Sequence, residues 1–187
     1  KKLVKHERSI CKLAFLLLQY GGGVGRLNGA MEEADIYLPF DQVRELYDTY
    51  WTMFSQLREF GDQLRLEWSR NGGYILNGVG RPMCVPPGYI KDILNRFIQS
   101  TAHDLLVIYS DILCNLLDKA EIEWYPVILD FHDAVTLEIA EHQQSQALAI
   151  YKQAFVELND KISGELQIRG TPIVGRTLSE VKEPEDE

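Results

Sequence analysis

Glycine and proline punctuate this chain so densely that they fix where its elements can start and stop. Apolar Ile10, Leu13 and Leu17 recur at helical spacing, and Gly21-Gly22-Gly23 with Gly25 follows them, so the pattern predicts a helix over 3–20 that the glycines end. Residues 30–70 read as helical with a break at Pro39. Asp41 is the expected N-cap of the second helix there, which carries Tyr47, Tyr50, Trp51, Phe54 and Trp68. Asn71-Gly72-Gly73 is a strong turn. After it, 74–76, the turn Asn77-Gly78-Val79-Gly80 and 81–85 read as a β-hairpin. Pro86-Pro87-Gly88 separates the hairpin from a long helical region at 89–119. Two β-rich runs, 124–131 and 134–140, surround a tight turn at His132-Asp133. A helix is expected over 142–162, with Leu148, Tyr151, Phe155, Leu158 and Ile162 on its apolar face. Gly164 ends it, and Leu166-Gln167-Ile168 predicts a last strand. Helices first, then strands and helices mixed, make an α+β fold.

With 187 residues, 45% of them hydrophobic, the chain can bury one core or two closely joined ones. No apolar run approaches the roughly 18 residues that span a bilayer. Cys11, Cys84 and Cys114 are odd in number and widely spaced, without a CxxC pair, so neither zinc nor a disulfide framework is indicated. A reducing, cytoplasmic compartment is the expectation. The chain opens Lys1-Lys2-Leu3 without an initiator Met, which suggests that the polypeptide begins upstream. The net charge of −9 speaks against a nucleic-acid binder judged in bulk. However, Glu180 to Glu187, with five acids and one Lys, carries −4 of it and is expected to be disordered, so charge has to be judged locally.

Three local patterns carry chemistry. Arg8, Lys12, Leu16 and Tyr20 are spaced by four, which on a helix forms one slanting stripe. Two cations one turn apart suit a triphosphate, and the ring at the end of the stripe suits a base. The same residues also describe a solvated face with a core tyrosine. The lack of a following Lys-Ser/Thr and of a preceding strand argues against a phosphate loop at Gly21–Gly25. Lys91, Asn95 and Gln99 repeat the spacing of four, and a cation with two amides can follow nucleic-acid phosphates and minor-groove acceptors; a polar solvent face would look alike. Finally, a hairpin over 127–137 would hold Asp133 at its tip, as a metal ligand for phosphoryl transfer or simply as a turn former.

Taken together and in order, these patterns resemble family A, DNA polymerase I–like DNA polymerases. Arg8-x3-Lys12-x7-Tyr20-Gly21 resembles motif B, the fingers helix. The resemblance implies that Arg8 and Lys12 bind dNTP phosphates, that Lys12 also assists as general acid, and that Tyr20 stacks near the nascent base pair. Leu16 stands where the family usually has Phe or Tyr facing the sugar, and it resembles the replacement in some viral (bacteriophage) members. Asn95-x3-Gln99-x-Thr101-Ala102-x-Asp104 resembles the segment that contacts primer-template DNA, with Lys91 where the family usually has Arg. Gly73-Tyr74, Gly80-Arg81 and Pro86 resemble the hairpin before it. His132-Asp133 resembles motif C: Asp133 would be a catalytic ligand of two Mg²⁺ ions and His132 would lie near the primer terminus and DNA, while Ala134 replaces the usual Glu.

The resemblance spans about residues 5–170 and implies a fingers part at 1–72, a palm portion at 73–178 and an acidic tail at 179–187. Its partners would be dNTP, primer-template DNA and an N-terminal remainder of the polymerase carrying the other catalytic aspartate. This chain alone would then be inactive, and the compartment would be the cytoplasm (the host's, if viral). Tyr20 and Asp133 lie 113 residues apart, compact as in the DNA polymerases. Single-subunit RNA polymerases, with longer insertions, and a non-catalytic remnant kept as an interaction module are the alternatives.

Overall fold

The computed structural model of the protein describes residues 5–126, 134–162, 167–177 and 180–181. The fold is α+β: six α-helices and two antiparallel strand pairs among the described residues. It divides into two compact units, Lys1–Thr101 and Ala102–Glu187. No helix among the described residues is long and apolar enough to cross a membrane.

In the first unit, α1 (Lys5–Gln19) ends in a glycine cap. The Gly21 N–H donates to the Leu18 carbonyl (3.0 Å), and the Gly22 N–H reaches back to Leu17 (2.9 Å). Gly21 sits at φ +78, the left-handed conformation that this cap requires. Helix α2 (Val24–Glu33) starts earlier than the expected 30. Leu27 and Met31 bury fully against Leu18 and Val43, and this packing outweighs Gly25 and Gly29, which cost about 1 kcal/mol each in a helix interior.

Helix α3 (Phe40–Met53) begins after Pro39, which occupies the N-cap position. Its carbonyl accepts from Gln42 and Val43. Asp41 is therefore not the cap: it lies in the first turn, where its charge meets the positive end of the helix. A second break that the sequence did not announce falls at Phe54 (φ −112, ψ 40), between α3 and α4 (Ser55–Arg70). There the Phe54 ring packs on Tyr50 (4.9 Å) and Phe15 (5.7 Å), and these contacts hold the corner without glycine or proline.

Strands β1 (Tyr74–Leu76) and β2 (Pro82–Cys84) form the expected hairpin, with Ile75 opposite Met83. Ile75 and Val85 bury against Leu64 of α4 and against Ile93 and Leu94. The Trp68 indole N–H donates to the Val85 carbonyl (2.7 Å), tying α4 to the end of the hairpin. The helical region expected at 89–119 is two elements, a 3₁₀ turn over Pro87–Asp92 and then α5 (Ile93–Lys119).

Helix α5 continues into the second unit, where Leu105, Tyr109, Ile112, Leu113 and Leu117 pack on α6 (Gln144–Lys161). The buried residues of α6 are Ala147, Ile150, Ala154 and Leu158. Tyr151 and Phe155 flank them as expected, but Leu148 is only partly buried and is not in that core. Two of these four are alanines, Ala147 and Ala154, which a pattern of large apolar residues does not mark. Strands β3 (Trp124–Pro126) and β4 (Leu137–Ile139) pair antiparallel, with Leu137 and Ile139 turned to the core and Glu138 exposed; 127–131 of the first expected run lie outside the described residues, and the second run is a continuous strand only over Leu137–Ile139.

The last strand is not one where it is described. Ile168 instead bonds through both backbone groups to the Asn159 side chain, at 2.7 Å and 2.8 Å, so an amide on α6 takes the place of a neighbouring strand. Leu166 and most of the acidic tail lie outside the described residues.

Candidate functional site

Helix α1 is two-faced. Ala14 and Leu18 are buried, with Ile10, Leu13 and Leu17 packed around them. Arg8, Lys12, Leu16 and Tyr20 all emerge on exposed positions, Leu16 and Tyr20 each at 40%. Tyr20 is thus not a core tyrosine. The exposed stripe presents two long cations, an aliphatic side chain and a phenol ring in that order along the helix.

The glycine cap decides where Tyr20 stands. A Cβ on Gly21 would lie 2.9 Å from the Lys91 carbonyl oxygen, so the chain after Tyr20 runs directly against the 3₁₀ turn before α5. That approach brings the end of the first stripe to the start of the second. Tyr20, Gly21, Lys91 and Asn95 line one cavity of ≈240 Å³, together with Trp51, Arg58 and Arg65. Lys91 belongs to the 3₁₀ turn rather than to α5, so it departs from the single helical stripe expected with Asn95 and Gln99. Gln99 lies one turn further along α5, exposed.

Helices α3 and α4 supply residues that the sequence reading missed. The Arg58 guanidinium lies 6.0 Å from the centre of the Trp51 ring, within cation–π range. Arg65 pairs with Asp62 at 2.6 Å, which leaves it partly neutralised. Two polar atoms of lining residues, Asn95 Oδ1 and Trp51 Nε1, are buried from solvent without a hydrogen-bond partner among the described residues. The aromatic rings and guanidinium groups form a wall that suits a planar, anionic ligand. The signal that could have found Arg58 was its spacing of seven from Trp51 across the Phe54 corner, and that corner was not legible.

His132 and Asp133, together with Asp130, lie outside the described residues, in the segment that joins β3 to β4. Among the described residues no three His, Cys, Asp or Glu side chains gather as a metal site. Ala134 is described and exposed.

No protein-family model matches the chain, and no curated protein matches its sequence. Among solved structures it is similar to the POL domain of Pol1 from M. smegmatis, in a complex with DNA primer-template and dNTP. The TM-score is 0.69 at 17% sequence identity, over 84% of this chain and 28% of that one. The chain has a polymerase-like fold. It spans 28% of the length of that structural neighbour.

Proposed function

We propose that this chain is the nucleotide- and DNA-gripping part of a template-directed DNA polymerase of the family A kind, with fingers at 1–72 and palm at 73–178. One observation carries the reading. Within a polymerase-like fold, the exposed Arg8–Lys12–Leu16–Tyr20 stripe ends at a cavity that Lys91 and Asn95 also line. Such an arrangement suits a triphosphate on the cations, a base at Tyr20, and a duplex end along Asn95 and Gln99.

In this reading Arg8 and Lys12 hold the triphosphate, Lys12 gives a proton to the departing pyrophosphate, and Leu16 faces the sugar. Lys91, Asn95 and Gln99 hold primer-template, and His132 stands near the primer terminus. Asp133 is the residue that would hold Mg²⁺, which when bound supplies positive charge against the transferring phosphoryl group. The viral lean of Leu16 and a longer polypeptide that contributes a second acid belong to the same proposal.

The test is two titrations on the 187-residue chain, one with a fluorescent dNTP and one with a labelled primer-template. Lys12→Ala is expected to weaken dNTP binding about tenfold or more, as for a lost charge-assisted bond, and to leave DNA affinity within about twofold. Gln99→Ala is expected to do the reverse. Equal loss of both ligands in Lys12→Ala would overturn the assignment, and tighter retention of ribonucleotides than deoxynucleotides would favour an RNA polymerase.

A further inference from the structure

Asn77 is a buried amide, at 4% exposure. It sits at the hairpin tip between β1 and β2. Its Oδ1 accepts from the Arg81 N–H (2.9 Å) and the Val79 N–H (3.2 Å), and its Nδ2 donates to Ser100 Oγ on α5 (3.0 Å). Ser100 Oγ also accepts from Arg81 Nη2 at 2.9 Å. One residue on, Thr101 Oγ1 accepts from the Gly78 N–H (2.9 Å) while donating to the Phe97 carbonyl (2.7 Å). A Cβ on Gly78 would lie 2.7 Å from Thr101 Cγ2, so the tip rests directly on the helix.

The geometry asks for an amide. An amide closes the turn on two backbone N–H groups with its oxygen and donates to the serine with its nitrogen, without bringing a charge into the site. A carboxylate could reach the serine only by accepting from its O–H and would bury a charge, and an aliphatic residue could make none of these bonds. At this burial each lost partner would leave a group unsatisfied. The outcome is that two consecutive residues of α5, Ser100 and Thr101, are gripped from outside the helix, immediately after Gln99.

We propose that Asn77 is a positioning residue: it clamps the hairpin tip to α5 and so fixes the turn that presents Gln99 to DNA. The inference rests on the DNA-binding reading above. A clamp that merely stabilised the fold would lower stability without caring what Gln99 does. A clamp that places Gln99 loses its effect on DNA once Gln99 has no amide to place.

The experiment is a double-mutant cycle on primer-template affinity, read by anisotropy well below the unfolding temperature of each variant. Asn77→Ala is expected to weaken binding about five- to tenfold, comparable to Gln99→Ala, and to add less than about twofold in a Gln99→Ala background. Ser100→Ala removes the shared acceptor with less risk to folding and is expected to follow the same pattern. Amide hydrogen exchange at Val79 and Arg81 reports the clamp itself and should accelerate in Asn77→Ala. Full additivity of the two losses, or unchanged exchange at those amides, would overturn the proposal. If Gln99→Ala alone leaves DNA affinity intact while exchange accelerates, the clamp exists and the DNA-binding reading is what has failed.

Discussion

Tyr109 carries a hydroxyl that meets no partner among the described residues, although the side chain is only 4% exposed. Its ring stacks on Phe155 with centroids 4.3 Å apart, so packing justifies the ring and nothing justifies the oxygen. Tyr109→Phe is therefore expected to raise stability by about 1 kcal/mol in urea unfolding, since an unmet buried polar group costs about 1–3 kcal/mol. Burial, and then the neighbouring Tyr151, pushes the Tyr109 phenol above its ordinary 10.0. The folded state thus keeps a proton that the unfolded chain gives up. The stability linked to it is whole below pH 10.0 and falls as pH rises beyond that value. In the phenylalanine variant the alkaline fall should be shallower; an identical alkaline limb in both proteins would contradict this. Gly21 makes the opposite case. With φ +78 and the Lys91 oxygen 2.9 Å from where a Cβ would stand, Gly21→Ala should cost about 1–3 kcal/mol and also weaken ligand binding, because Tyr20 moves with the cap.

Elements divide between those that sequence announces and those that only packing creates. The α1 stop, the hairpin and the helix after Pro86-Pro87-Gly88 were legible because glycine permits the positive φ that turns need, proline fixes φ and asparagine favours turns locally. The Phe54 corner was not legible, since Thr52-Met53-Phe54-Ser55 has no breaker and the bend is held by rings distant in sequence. For the same reason the spacing of four found Arg8, Lys12, Leu16 and Tyr20 but not Arg58 or Trp51, which reach the cavity only through that corner. The strand expected at Leu166–Ile168 failed for another reason: both backbone groups of Ile168 are satisfied by the Asn159 amide rather than by a ladder. Asn159→Ala removes both bonds, and is expected to cost about 1–3 kcal/mol and to open 167–177 to limited proteolysis while α6 stays intact. Unchanged cleavage would show that other contacts hold the segment.

Charge is a property of the whole chain, and here it opposes the proposed ligand. At −9 the molecule repels a duplex in bulk, so DNA binding has to come from a few local cations working against that field. Each phosphate contact adds about 0.9 to the slope of log affinity against log salt. Lys91→Ala should therefore lower that slope by about one while weakening binding to every sequence alike. Ending the chain after Ser179 removes five acids and one Lys and leaves the net charge at −5. If the tail acts only through its field, this truncation should tighten DNA binding at low salt, and the gain should shrink toward nothing near 1 M salt, where the Debye length falls to about 3 Å. The slope set by Lys91 should survive in the truncated chain, because a contact is short-ranged and a field is not. A gain that persists undiminished at high salt would mean that the tail occupies the DNA site directly.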